Sequence, residues 1–120
     1  MLTPLGRFLR KLRIDRGEIL KDMSEKLDVT VSFLSAVENG KKRMPSSWNT
    51  QLCSLYGFDE RQTEEFTKAV AETERKMEID FENASSDQRM LAVSFARKFT
   101  DFDERQIKKI RALLKESEDE

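Results

Sequence analysis

Residues 23 to 40 read Met23-Ser24-Glu25-Lys26-Leu27-Asp28-Val29-Thr30-Val31-Ser32-Phe33-Leu34-Ser35-Ala36-Val37-Glu38-Asn39-Gly40. Met23 and Leu27, with Ile19 or Leu20 before them, are each about a turn apart, which predicts a short helix. Thr30 is a good cap for another helix, from which Leu34 and Val37 point inward and which Asn39-Gly40 ends. Only Asp28-Val29 joins the two, so two short helices follow each other across a tight turn.

The flanks extend the same pattern. Upstream, Thr3 caps a first helix, Pro4 takes its first position and Gly17 ends it; Leu5, Phe8, Leu9 and Leu12 share one face. Downstream, after the loop Lys41-Lys42-Arg43-Met44-Pro45, Ser47 is expected to cap a fourth helix. Its apolar stripe is Trp48, Leu52 and Leu55, with Cys53 beside them as a core thiol, and Gly57 closes it. The pentapeptide Phe-Asp-Glu-Arg-Gln occurs at 58–62 and again at 102–106. In both copies Asp is placed to cap and the Gln three residues on to reach back, so both are read as helix starts. Ser85 with Gln88 offers a third such pair. Three more helices are expected near 60–77, 86–100 and 104–116, with Glu116 to Glu120 fraying. Ile79 and Phe81 alternate with acids, leaving 78–83 open between an extended link and a short edge strand.

Composition narrows the function classes. The 120 residues contain 22 Lys and Arg, 23 Asp and Glu, one Cys and no His. Without His, the chain has no His-dependent hydrolysis and no His-containing metal site. One Cys excludes an internal disulfide. No stretch of 18 apolar residues and no apolar leader core is present, so a soluble, cytoplasmic chain without a membrane partner is expected. There is no Gly-rich phosphate loop. No catalytic residues, metal or cofactor are expected: the chain is read as a non-enzyme. Charge is uneven. Residues 1–58 hold 10 Lys and Arg against 6 Asp and Glu, and residues 59–120 hold 12 against 17. A basic front and an acidic back predict that only the front meets a polyanion.

The span from the second to the third helix is that of a helix-turn-helix, in which the second helix lies in the major groove and the first braces it. Residues 23–30 and 33–40, together with Arg13, resemble the Cro/CI-type (Xre) helix-turn-helix regulators over about residues 5–58. The resemblance implies an all-α, lambda-repressor-like helix-turn-helix bundle as residues 1–58, followed by a helical dimerisation or partner-binding region as residues 59–120. It also implies a bridge between Arg13 and Glu38. The chain departs from the family at Leu20, where a Gln usually opens the helix, and at Asp28, where Gly is usual in the turn; Asp visits left-handed backbone more easily than most residues. Positions matching the family's base readers are Val31, Ser32 and Ala36, with Phe33 beside them. None offers the bidentate hydrogen bonding of strong direct readout. Phosphate contacts are better supplied, by Asn39, Lys41, Lys42 and Arg43 after the recognition helix and by Thr30 at its start.

In the back half, Leu91, Phe95 and Phe99 line one helix and Ile107, Ile110 and Leu114 the next, and such apolar faces need a cover. A symmetric dimer is the leading reading, against an intramolecular cap or a different protein. Two functions follow. One is a homodimeric transcriptional repressor on a palindromic operator in double-stranded DNA, of the kind common on phages and mobile elements. The alternative is an antitoxin whose back half neutralises a toxin and which autoregulates its operon. The depleted recognition helix leaves a third, a helix-turn-helix protein that binds only protein.

Overall fold

A computed structural model describes residues 1–119, with side chains described to residue 115. All its regular elements are helical, and the chain clusters into two compact units, Met1–Glu78 and a second that begins at Ile79.

In the first unit, local chemistry sets where each helix starts and stops. Helix α1 spans Pro4–Arg16: Thr3 Oγ1 accepts the Gly6 N–H at 3.0 Å, and Gly17 ends the helix at φ +66°. Helix α2 is Leu20–Lys26, opened by the Ile19 N–H donating to the Asp22 carboxylate at 2.8 Å. Helix α3 is Val31–Glu38, where Thr30 Oγ1 accepts the Phe33 N–H at 3.0 Å. Between them Asp28 sits at φ +56°, the one non-glycine residue with positive φ among those described. Helix α4 is Trp48–Tyr56 and α5 is Glu60–Thr73.

Three expectations need correction here. Ser47 does not cap α4; its backbone is already helical and its side chain makes no capping bond, because the chain enters α4 through a turn in which the Trp48 N–H donates to the Pro45 carbonyl at 3.0 Å. The inward stripe of α4 is Trp48, Leu52 and Tyr56, whereas Leu55 is exposed. Four-residue steps keep those three on one face, and the buried Tyr56 satisfies its hydroxyl by donating to Glu18 at 2.8 Å. Helix α5 stops at Thr73 rather than near 77, since Glu74 turns to an extended backbone.

The core gathers the inward faces of all five helices, with Leu5, Leu9, Met23, Leu34, Trp48 and Leu52 each nearly sealed from solvent. Helix α5 completes it. Phe66 and Val70 are buried, and the rings of Phe8, Phe58 and Phe66 meet pairwise at 5.5–5.6 Å. The Leu5 N–H donates to Thr73 Oγ1 at 3.0 Å, tying the start of α1 to the end of α5. The first compact unit therefore runs from Met1 to Glu78, because α5 covers the open side of α1. Cys53 packs partly buried against this core, its thiol donating to the Asn49 carbonyl at 3.2 Å.

The second unit opens on a stretch without strand structure, and residues 78–83 form no edge strand. Helix α6 is Ser86–Lys98, a 3-10 turn covers Phe99–Asp101, and α7 is Glu104–Asp119. Both helices begin with reciprocal capping. The Gln88 N–H donates to Ser85 Oγ at 3.1 Å and the Ser85 N–H to Gln88 Oε1 at 2.8 Å. Asp103 and Gln106 do the same at 2.8 and 3.1 Å, and Asp59 with Gln62 opens α5 likewise. The backbone of α7 stays helical to Asp119, past the fraying expected from Glu116; Glu120 lies outside the described residues. Phe95 packs against Phe99 and Phe102 at 5.6 and 5.4 Å, yet no residue of α6 is buried.

Candidate nucleic-acid interface

Helix α3 is fixed in place chiefly at its C-terminal end. Glu38 and Arg13 form a two-pronged ion pair: Arg13 Nη2 donates to Glu38 Oε1 at 3.0 Å and Nη1 to Oε2. Nη1 also lies 3.3 Å from the Met23 sulfur. The two side chains are only 8% and 4% exposed, so each charge depends on the other for the solvation that burial removes. One arginine on α1 thereby touches both helices of the helix-turn-helix. The Glu38 carbonyl is used as well, accepting from the Thr3 N–H at 3.0 Å and from Thr3 Oγ1 at 3.1 Å. Close approach of α1 to this carbonyl requires Gly6, since a Cβ there would fall 2.1 Å from the Glu38 oxygen. Sequence reasoning missed Gly6, although a glycine inside a helical stripe, costing about 1 kcal/mol relative to Ala, is a signal of close packing.

A second polar cluster sits where α2 begins. Glu18 accepts from Lys26 Nζ at 2.7 Å and from the Tyr56 hydroxyl, and Lys26 also lies 4.7 Å from the centre of the Tyr56 ring. Burial by itself raises the Glu18 carboxyl, but the hydrogen bonds from Lys26 and Tyr56 outweigh it and hold the group below the usual carboxylate range. Tyr56 is driven up, first by burial and then by its bond to Glu18. No sequence pattern marks this trio; its members meet because the end of α4 brings the Tyr56 side chain to Glu18 and Lys26.

The nine residues expected at bases and phosphates separate into two sets. Val31, at 40% exposure, and Ser32 stand open to solvent on the first turn of α3. Thr30 is spent on capping. Ala36 is half-buried and its carbonyl accepts the backbone N–H groups of Lys41 and Lys42 at 2.8 and 3.2 Å, which wraps the basic loop tightly around the end of α3. The side chains of Lys41 and Lys42 are exposed and have no ion-pair partner among the described residues.

The remaining three have partners within the fold. Phe33 is half-buried, its ring edge-on to Trp48 at 6.0 Å. Asn39 donates its amide to the Ser35 carbonyl at 2.9 Å. Arg43 turns to the end of α5, donating to Glu74 at 3.3 Å and to the Lys76 carbonyl at 3.0 Å, with Glu78 at 3.5 Å. Sequence alone placed Arg43 with its basic neighbours. Its acidic partners lie more than thirty residues away, beyond any local pattern.

Among the described residues no three His, Cys, Asp or Glu side chains are placed to hold a metal ion, and no helix is long and apolar enough to cross a membrane. No curated protein and no solved structure matches the chain. A family model described as a helix-turn-helix domain matches residues 4–66, more than half of the chain and the whole of α1 through the middle of α5; the chain belongs to that helix-turn-helix domain family.

Proposed function

We propose that the chain is a transcriptional repressor of the Cro/CI (Xre) type, acting as a homodimer on a palindromic operator and serving a phage or mobile element. Membership of a helix-turn-helix family points to a DNA-binding regulator. The observation that carries the finer reading is the juxtaposition on α3 and its following loop: Val31 and Ser32 exposed on the first turn, Lys41 and Lys42 exposed directly after the last, without an ion-pair partner among the described residues. A recognition helix needs those two surfaces, an end that can enter the major groove and cations that can meet the flanking phosphates. Val31 offers apolar contact to thymine methyls and Ser32 a single hydroxyl, so direct readout is modest. DNA shape supplies part of the specificity, and phosphate contacts supply most of the affinity.

The dimer reading rests on the second unit. Leu91 and Phe99 are 70% and 59% exposed, and Phe95, Ile107 and Leu114 are exposed with them. One recognition helix buries too little for tight specific binding, and a two-fold pair of helices about 34 Å apart matches successive major grooves. The test is titration of the full chain into duplex DNA from upstream of its own gene and into random duplex. Tighter binding to the upstream duplex supports the repressor, and equal binding to both overturns sequence specificity. The same exposed apolar residues favour a second reading, an antitoxin whose back half covers a toxin. It is distinguished by a stable complex with the product of an adjacent reading frame. If no duplex is bound, the chain is a helix-turn-helix protein that binds only protein.

A further inference from the structure

Helix α7 sets most of its cations apart from its apolar residues. At about 100° per residue, Arg105, Lys108, Lys109, Arg111 and Lys115 fall within one half of the circumference, whereas Ile107, Ile110 and Leu114 fall on the other. All five cations are exposed, and none has an ion-pair partner among the described residues. Glu104, the first residue of the helix, falls on the cationic half and is the one acid between residues 104 and 115. The acidic balance of residues 59–120 thus conceals a cationic helix face, whose neighbouring acids lie before Arg105 and after Lys115. Five exposed cations over roughly 15 Å of helix face about the axial rise of four phosphates on one DNA strand.

We infer that this face of α7 is a second, sequence-independent contact for the phosphates of duplex DNA, separate from α3 and its loop. The inference rests on the reading of the chain as a DNA-binding protein. Duplex DNA fits better than an anionic lipid surface because of how the two halves of the helix are used. An interfacial helix must insert its apolar half while its cations grip headgroups, which competes with covering Ile107, Ile110 and Leu114 in a dimer. DNA requires the cationic half alone, so a dimer formed through the apolar half leaves that surface open and doubles it.

The experiment titrates random-sequence duplex DNA into the full chain across a range of salt concentrations. It compares wild type with Lys42→Ala, with the triple variant Lys108→Gln, Lys109→Gln, Arg111→Gln, and with a charge-preserving control, Lys108→Arg, Lys109→Arg, Arg111→Lys. At about 0.1 M salt the triple variant should bind roughly fivefold to tenfold more weakly for each phosphate that it no longer neutralises, and its salt slope should fall by about one unit for each. The control should bind like wild type. Duplex binding by the triple variant equal to wild type at every salt concentration overturns the α7 surface as a DNA contact, while a weakening in Lys42→Ala leaves the DNA reading standing. Absence of duplex binding by wild type overturns both. A triple variant that keeps duplex binding but no longer binds phosphatidylserine vesicles also overturns the proposal, in favour of lipid.

Discussion

The two units of the chain are written in the same local vocabulary and end differently. Each opens helices with a Ser, Thr or Asp cap, Thr3, Thr30 and Asp59 in the first unit and Ser85 and Asp103 in the second, and α5, α6 and α7 share the same reciprocal Gln. Each places apolar residues at helical spacing. In Met1–Glu78 those residues close on one another into a sealed interior; in α6 no side chain is buried at all. Caps and spacing make helices, whereas a domain also needs enough converging faces to exclude water. Five helices meet that need in the first unit, whereas the two of the second leave Leu91, Phe99 and Leu114 exposed.

The largest effect is expected at the Arg13–Glu38 pair, on which the sealed unit depends. Glu38→Ala leaves a buried guanidinium without its partner, and chemical denaturation should show a decrease of about 3–5 kcal/mol. A variant as stable as wild type would mean that the first unit does not need this bridge. The second unit should respond through assembly instead. Phe99→Ala is expected to weaken the proposed dimer by about 2 kcal/mol, roughly thirtyfold, read by sedimentation across protein concentration, with little change in the melting of the first unit. If wild type sediments as a monomer at micromolar concentration, the exposed faces serve another partner.

Within the first unit, Lys42 and Arg43 set a free cation beside a paired one. Lys42→Ala should lower the salt slope of duplex binding by about one unit. Arg43→Ala should lower it less, because Arg43 is engaged by Glu74 and the Lys76 carbonyl; equal reductions would show that DNA draws Arg43 away from α5. The smallest effect is expected with acid. The folded pKa of Glu18 lies below its value in the unfolded chain, about 4.3, so its contribution is complete above that value and disappears as pH falls through the folded one. Glu18→Gln should therefore show a shallower decline of stability below about pH 4.3 than wild type, measured by thermal melts across that range.

Much of the fold was legible because helix signals are local. Thr3 with Pro4, Thr30, Asp59, Ser85 and Asp103 mark starts that the backbone uses, and Gly17 and Gly57 mark stops. Local signals misled where a neighbour in space had the stronger say. Ser47 is a good capping residue displaced by the Pro45 turn, and Leu55 is a good core residue displaced by Tyr56, whose hydroxyl has Glu18 to meet. At the candidate interface the residue types were evident and their directions were not.

The helices, their order and the tight turn at Asp28 are all written in the chain, since each depends on residues within about four positions of one another. The chain also carried the family resemblance on which the Arg13–Glu38 bridge was expected. Tertiary packing was needed to show that α5 closes the first unit and that Gly6 lets α1 touch the Glu38 carbonyl. Packing also turned Arg43 toward α5, left Lys41 and Lys42 open, and left the five cations of α7 exposed. Those outcomes follow from which surfaces remain once helices pack, and packing joins residues that no local rule can relate.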